Sequence, residues 1–250
     1  MTTGLVSVTF RGLGCDEIIA LTKSVGLDGI EWGGDIHVPA GQVALAREVG
    51  GKTRAAGLKT LAYGSYYRTG TQNETGFGVV LETALALQAP IIRVWAYNKG
   101  SNETGPEEYE TVVKDIRVIC RTAKEQGVRV AMECHNNTLT DDFTSAQRLM
   151  DAVGSDNLFM YWQPNQLRDF DYNLRSIEAL LPRVTNVHVF EWDGNGGHHP
   201  LERGRQRWEK YISVLESGGE KHSYLLEFMP DGRAESLKTE AGALSALCGR

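Results

Sequence analysis

The chain has no apolar run near the ~20 residues that a helix needs to cross a bilayer. Its start, MTTGLVSVTF, has neither the basic opening nor the apolar stretch of a secretory signal. The expectation is a soluble cytoplasmic protein without a membrane partner. Cysteine is sparse as well: Cys15, Cys120, Cys134 and Cys248 are scattered and form no CxxC pair, which argues against a disulfide framework and a structural zinc knuckle. Basic charge is not in excess. With 26 Lys and Arg against 32 Asp and Glu, the net charge is −6, so the positive surface that phosphate backbones require is missing and nucleic acid is not an expected partner. No Pro/Ser-rich linker, low-complexity tract or charge block marks a boundary, and residues 1–250 read as one domain. Nucleotide motifs are lacking too: no GxGxxG follows the first strand, and there is no GxxxxGK[ST].

What is present is a regular alternation. Eight short runs rich in β-branched or aromatic residues recur: 5–10, 28–32, 58–64, 90–96, 128–134, 157–163, 185–190 and 223–229. Helical spacing fills most gaps. Between the fourth and fifth runs, Pro106 can open a helix, Val112, Val113, Ile116, Ile119, Cys120 and Ala123 repeat along one face, and Gly127 closes it. Similar patterns cover about 40–56, 75–88, 142–152, 171–181 and 205–217, and a shorter one runs from Asp16 to Val25. Strand and helix alternating in this way, at this length, predict an α/β fold, a single (β/α)8 TIM barrel.

In such a barrel the strand interiors are apolar, so a polar residue at a strand's C-terminal end is informative. Glu31, Arg93, Glu133, Gln163, His188 and Glu227 occupy such positions. Glu133, Gln163, His188 and Glu227 come from four consecutive strands, which the barrel places side by side. Carboxylate and amide oxygens with one imidazole suit one divalent ion, Mn²⁺ or Mg²⁺ first, with Co²⁺ or Zn²⁺ as alternatives. A buried His or Glu taken singly is more often a hydrogen-bonded core residue. Side chains alternate along a strand, so His135 shares a side with Glu133 while Met132 and Cys134 take the other.

Substrate contacts are expected from Arg93 through its fork, with an internal pair to Glu31 as the alternative. Glu31 itself, His37 from the loop after the second run, and Trp95 as a stacking surface complete the first group, with Trp32 and Trp162 as further aromatics. Glu191 and Arg203, with His198 and His199, lie in or beside the glycine-rich loop DGNGGHHPLERG after the seventh run.

The segments GIEWGGDIHVP, IIRVWA, VAMECH, MYWQPN, NVHVFEW, PLERG and YLLEFM, in this order, resemble the xylose isomerase-like barrel superfamily, the sugar phosphate isomerase/epimerase family. The resemblance implies a metal on Glu133, Gln163, His188 and Glu227. Aspartate is the family's usual second ligand, and Gln163 departs from it. Two carboxylates, an amide and a neutral imidazole leave the M²⁺ site formally neutral rather than −1, so the ion should bind more weakly and be the stronger Lewis acid. The family's chemistry implies an enediolate of a hydroxy-ketone, with Glu133 and Glu227 as the acid/base pair. Metal-bound carboxylates are weak bases, which makes His135 the alternative.

The leading expectation is a metal-dependent isomerase or epimerase of a keto-sugar or related hydroxy-carbonyl compound. A non-phosphorylated sugar or polyol is favoured as the small-molecule partner. The same site also suits a lyase or dehydratase, including one that cleaves a keto-glycoside, and Gln163 keeps open a non-catalytic sugar-binding protein. A homo-oligomer is compatible with the sequence. An endonuclease of the same superfamily would need a multi-metal His/Asp cluster, and the acidic charge opposes it.

Overall fold

A computed structural model describes residues 1–249. Eight parallel strands close into one barrel: β1 (Thr2–Val6), β2 (Gly29–Gly33), β3 (Lys59–Arg68), β4 (Ile91–Trp95), β5 (Arg129–Glu133), β6 (Leu158–Trp162), β7 (Val184–Val189) and β10 (Ser223–Leu226). They stand around the barrel in chain order, with β10 pairing β1. The helices are α1 (Cys15–Ser24), α2 (Val43–Ala55), α3 (Phe77–Leu87), α4 (Pro106–Glu125), α5 (Phe143–Val153), α6 (Phe170–Leu180), α7 (Arg205–Leu215) and α8 (Leu237–Leu247). A short hairpin, β8 (Glu191–Trp192) with β9 (His198–His199), stands in the loop after β7. The protein is a single (β/α)8 TIM barrel. No helix among the described residues is long and apolar enough to cross a membrane.

Local signals account for the helix starts. Pro106 is the first residue of α4, and Glu108 reaches back to the Gly105 amide at 2.9 Å. All six apolar residues of its periodic face are buried. Asp142 accepts from the Thr144 amide at 2.9 Å and Asp169 from the Tyr172 amide at 2.7 Å, capping α5 and α6, contacts worth about 1 kcal/mol each.

Two elements differ from the sequence expectation. The first strand ends at Val6, and Ser7–Phe10 form a 3₁₀ turn in which the Ser7 hydroxyl accepts from the Gly33 amide at 2.9 Å. That bond ties the turn to the next strand, and the strand pattern of residues 7–10 gives way. Helix α8, which a (β/α)8 barrel requires, was not placed from the sequence, although Leu237, Ala241 and Leu244 carry its buried face at helical spacing.

The barrel's inside is built in layers. Leu61, Ile91, Ala131, Tyr161 and Leu225 belong to an apolar cluster of their own, apart from the larger one beneath the helices. Glycine makes room for it: a Cβ on Gly4 would stand 2.5 Å from Leu61 Cδ1 and 2.7 Å from Leu225 Cδ2. Two residues further along four of these five strands, on the same side, the sequence turns polar: Ile91 is followed by Arg93, Ala131 by Glu133, Tyr161 by Gln163 and Leu225 by Glu227. The apolar layer is thus the floor of a polar one.

A Cβ on Gly29 would lie 2.4 Å from the Lys59 carbonyl oxygen, whereas one on Gly51, within α2, would meet nothing within 4 Å. Gly29→Ala is therefore expected to cost about 1–3 kcal/mol through overpacking against backbone. Gly51→Ala should be neutral or stabilise by up to about 1 kcal/mol. Urea unfolding midpoints of the two variants check the contrast.

Candidate active site

Oxygens of three side chains converge on one imidazole nitrogen at the C-terminal end of the barrel. Nδ1 of His188 lies 3.1 Å from Gln163 Oε1, 3.2 Å from Glu227 Oε2 and 3.4 Å from Glu133 Oε1. Ligand bonds of about 2.1 Å, at the angles of tetrahedral or octahedral coordination, separate donors by about 3.0–3.4 Å. The donor set therefore fits one divalent ion. Donor atoms of Glu133, His188 and Glu227 all lie within 4.8 Å of one another, and all three residues are buried.

Neighbouring groups hold these candidate donors in place. The other imidazole nitrogen, Nε2 of His188, faces Glu31 Oε2 at 3.4 Å, the carboxylate–histidine arrangement that orients a ligating ring. Tyr161 packs edge-on against the ring, with centroids 5.1 Å apart. Arg93 donates from Nε to Glu31 at 2.8 Å and from Nη1 to Glu133 Oε2, which also accepts from Trp95 Nε1 at 2.6 Å. One oxygen of Glu133 is thus saturated, and Oε1 is the one turned to His188.

Electrostatics follow the geometry. Burial alone would raise the Glu133 carboxyl, but Arg93 and His188 outweigh it and hold it far below the usual carboxylate range. Burial would also lower His188, yet Glu227 and Glu31 overcome this and raise it well above the ordinary histidine value.

Glu133, Gln163 and Glu227 line a cavity of about 300 Å³, together with Arg93, Trp95 and His135. The Trp95 ring has two close partners, the His135 ring stacked at 4.5 Å and the Arg68 guanidinium 3.9 Å from its centroid. Nδ1 of His135 lies 2.7 Å from the Asn136 carbonyl oxygen. A carbonyl only accepts, so Nδ1 carries a proton, and Nε2 is the nitrogen left to exchange one.

Several expected substrate contacts lie elsewhere. Glu31 has no exposed surface and contributes none to the cavity; its partners are Arg93 and His188. His37 is also buried, with Nε2 3.1 Å from the Leu13 carbonyl oxygen and its ring edge-on to Trp32, so it packs the loop after β2. Glu191 and Arg203 line a separate, adjacent cavity, where Glu191 pairs with Arg207. Burial pushes the Glu191 carboxyl up, and Arg207 opposes the shift.

Other wall residues were not expected. Tyr66 and Phe228 line the cavity with left-handed backbones, φ 59° and 61°, a conformation that is strained for aromatic residues. Phe228 packs on Trp192 at 4.7 Å and on Phe190 at 5.9 Å, forming an aromatic side. Phe228 lies within the eighth run and Tyr66 two residues beyond the third, and nothing in the spacing marks either as a cavity wall.

Residues 19–247 match the family model described as xylose isomerase-like TIM barrel. The chain belongs to that family. A 3-dehydroshikimate dehydratase of Bacillus anthracis is 29% identical over 177 residues, which is 62% of this chain and 61% of that protein; the chain thus matches less than two thirds of that relative's length. Among solved structures of the same fold, a probable 3-DHS dehydratase from Bacillus anthracis, involved in petrobactin synthesis, superposes with a TM-score of 0.82 at 20% identity, covering 98% of this chain and 99% of that one. A D-psicose 3-epimerase gives 0.77 at 14% identity over 98% of each chain. A 3-keto-D-glucoside 4-epimerase from E. coli gives 0.75 at 16% identity over all of both.

Within this family member, His188→Ala and Glu133→Gln are expected to lower bound metal by at least about tenfold, and Gln163→Asp to tighten it by adding a charge to the donor set. Metal analysis after dialysis against Mn²⁺ checks all three. The proton on metal-free His188 must leave before Nδ1 can coordinate, so affinity should rise with pH, by about tenfold per unit while that proton is bound. Calorimetric titration with Mn²⁺ at several pH values, in buffers of different ionisation heat, reads the released proton.

Proposed function

We propose that the protein is a metal-dependent lyase that dehydrates a small hydroxy-carbonyl compound, with 3-dehydroshikimate the first substrate to test. One observation carries the choice of elimination over isomerisation. Glu133 is held ionised by Arg93 and Trp95, which makes it a poor base and leaves His135 as the cavity's base outside the donor set. An epimerase that removes a proton from one face and returns it to the other needs two such groups; an elimination can use one.

His135 Nε2 takes the proton from the carbon next to the carbonyl. The C–H electron pair forms the new double bond as the C–O bond to the β-hydroxyl breaks. The imidazolium so formed returns the proton to the departing hydroxyl, which leaves as water. Glu133, Gln163, His188 and Glu227 would hold a divalent ion, Mn²⁺ or Mg²⁺ by their oxygen-rich donor set, and such an ion would supply positive charge to stabilise the negative charge that elimination develops. Trp95 keeps His135 in place by stacking, and the Asn136 carbonyl keeps its proton on Nδ1. Arg93 holds Glu133 in its ligating posture. The relatives above, whose names are those of dehydratases and epimerases, support a small-molecule substrate.

Isomerisation is the second reading, favoured by Glu227. It lines the cavity and receives neither an arginine nor a tryptophan donor among the described residues, so it is the less encumbered of the two carboxylates.

Mn²⁺-loaded protein in D₂O, followed by ¹H NMR and mass spectrometry, separates these readings. Loss of water from 3-dehydroshikimate is the expected result, with His135→Ala lowering kcat by about 10²–10⁴-fold and leaving bound metal unchanged. Proton exchange at carbon with retained mass, on a ketose and not on 3-dehydroshikimate, would establish the isomerase instead. Binding of a sugar without any exchange would overturn both in favour of a non-catalytic binding protein.

A further inference from the structure

A second cavity, of about 320 Å³, opens beside the first, between the segment after β6, the loop after β7 and helix α7. The two share a wall made of Pro164, Asn165, Gln166, Asn173, Phe190 and Trp192. We propose that this second cavity binds an anionic group, a carboxylate or a phosphate, next to the candidate metal centre.

The charges that line it are unbalanced. Arg168, Arg203 and Arg207 bring three guanidinium groups, and Glu191 and Asp193 bring two carboxylates. Both carboxylates are already engaged. Glu191, buried, pairs with Arg207, in a space that exists because residue 204 is glycine: a Cβ there would come within 2.0 Å of Glu191 Oε2. Asp193 accepts from His199 Nε2 at 2.7 Å and from the amides of Asn195 and Gly197, each at 2.9 Å.

Arg168 and Arg203 have no carboxylate in ion-pair contact among the described residues. Arg168 lies over the Tyr172 ring at 5.1 Å, a cation–π contact that engages no carboxylate. Three guanidinium groups share the cavity with two carboxylates, and Arg203 and Arg207 both act on the one carboxylate of Glu191, so a group that accepts several charge-assisted hydrogen bonds at once would offset the surplus. Carboxylates and phosphates do this; a neutral sugar hydroxyl does so weakly. Trp208 and Tyr211 of α7 line the same cavity, so the anion would be held against an apolar side while the exposed arginines reach it from the rim. No phosphate motif marks the site in the sequence because its residues come from three separate segments.

Binding at this cavity stands apart from the reaction, whereas its use by the substrate rests on the lyase reading above. The test uses inorganic phosphate and EDTA-treated protein, read by calorimetry and by tryptophan fluorescence. Wild type should bind phosphate saturably, and Arg168→Ala/Arg203→Ala should weaken it at least tenfold, with circular dichroism confirming the fold. His188→Ala should leave phosphate affinity unchanged. Equal affinity in the double variant, or no saturable binding by wild type, overturns the site whatever the enzyme's reaction. Once phosphate binding is established, its effect on turnover identifies the natural source. Competition, with KM raised and kcat unchanged, means that the substrate's own anionic end sits there; binding without competition means a free anion.

Discussion

Arg93 is the constraint around which the site is organised. Its guanidinium is buried between Glu31 and Glu133, at the level where the barrel's interior changes from apolar to polar. A buried ion pair is weak evidence for stability, because taking its charges out of water costs several kcal/mol per ion. Removing one partner is costlier still, since the other charge is then left uncompensated. The barrel makes room for the arrangement: a Cβ on Gly64 would stand 2.7 Å from Arg93 Nη2 and 2.9 Å from Glu31 Oε1. Arg93, Glu31 and Gly64 thus act together to fix Glu133, and Glu133 fixes one corner of the donor set.

The chain of support continues through His188. Glu31 serves two partners, Arg93 on one oxygen and His188 on the other, so the arginine and the imidazole are coupled through a single carboxylate. This gives the fully buried Glu31 a role that a substrate-contacting residue could not have: it orders the groups that face the cavity without facing it. Inner and outer residues are separated in the same way elsewhere. His188 is wholly buried, while Glu133, Gln163 and Glu227, which share its Nδ1, reach the cavity surface.

The barrel could be read in the sequence because its strands are short, apolar and evenly spaced, and because Pro106 and Gly127 punctuate the longest helix. That Glu133, Gln163, His188 and Glu227 meet at one point could be read for a related reason: polar residues at the ends of apolar runs are conspicuous. What escaped were features that periodicity does not encode. Residues 7–10 look like strand, but one serine hydroxyl bonded to Gly33 turns them into a 3₁₀ segment. Glu31 and His37 were legible as polar residues near the rim but not by direction, and direction decided their partners. Tyr66 and Phe228 reach the cavity from backbone conformations that no aromatic residue prefers. The separation of Glu191 and Arg203 from the metal donors depends on where the loop after β7 folds, which local pattern does not specify.

Those two left-handed aromatics set the direction in which the protein can change. Each holds about 1–3 kcal/mol of backbone strain that the surrounding packing must overcome, and each could be relieved by glycine or asparagine, which adopt that conformation readily. Selection for thermal endurance alone would favour such exchanges and erode the cavity's aromatic side while leaving the donor set untouched. Tyrosine and phenylalanine at these positions thus tie the shape of the cavity wall to a standing loss of stability that the buried arginine beneath it does not share through its backbone.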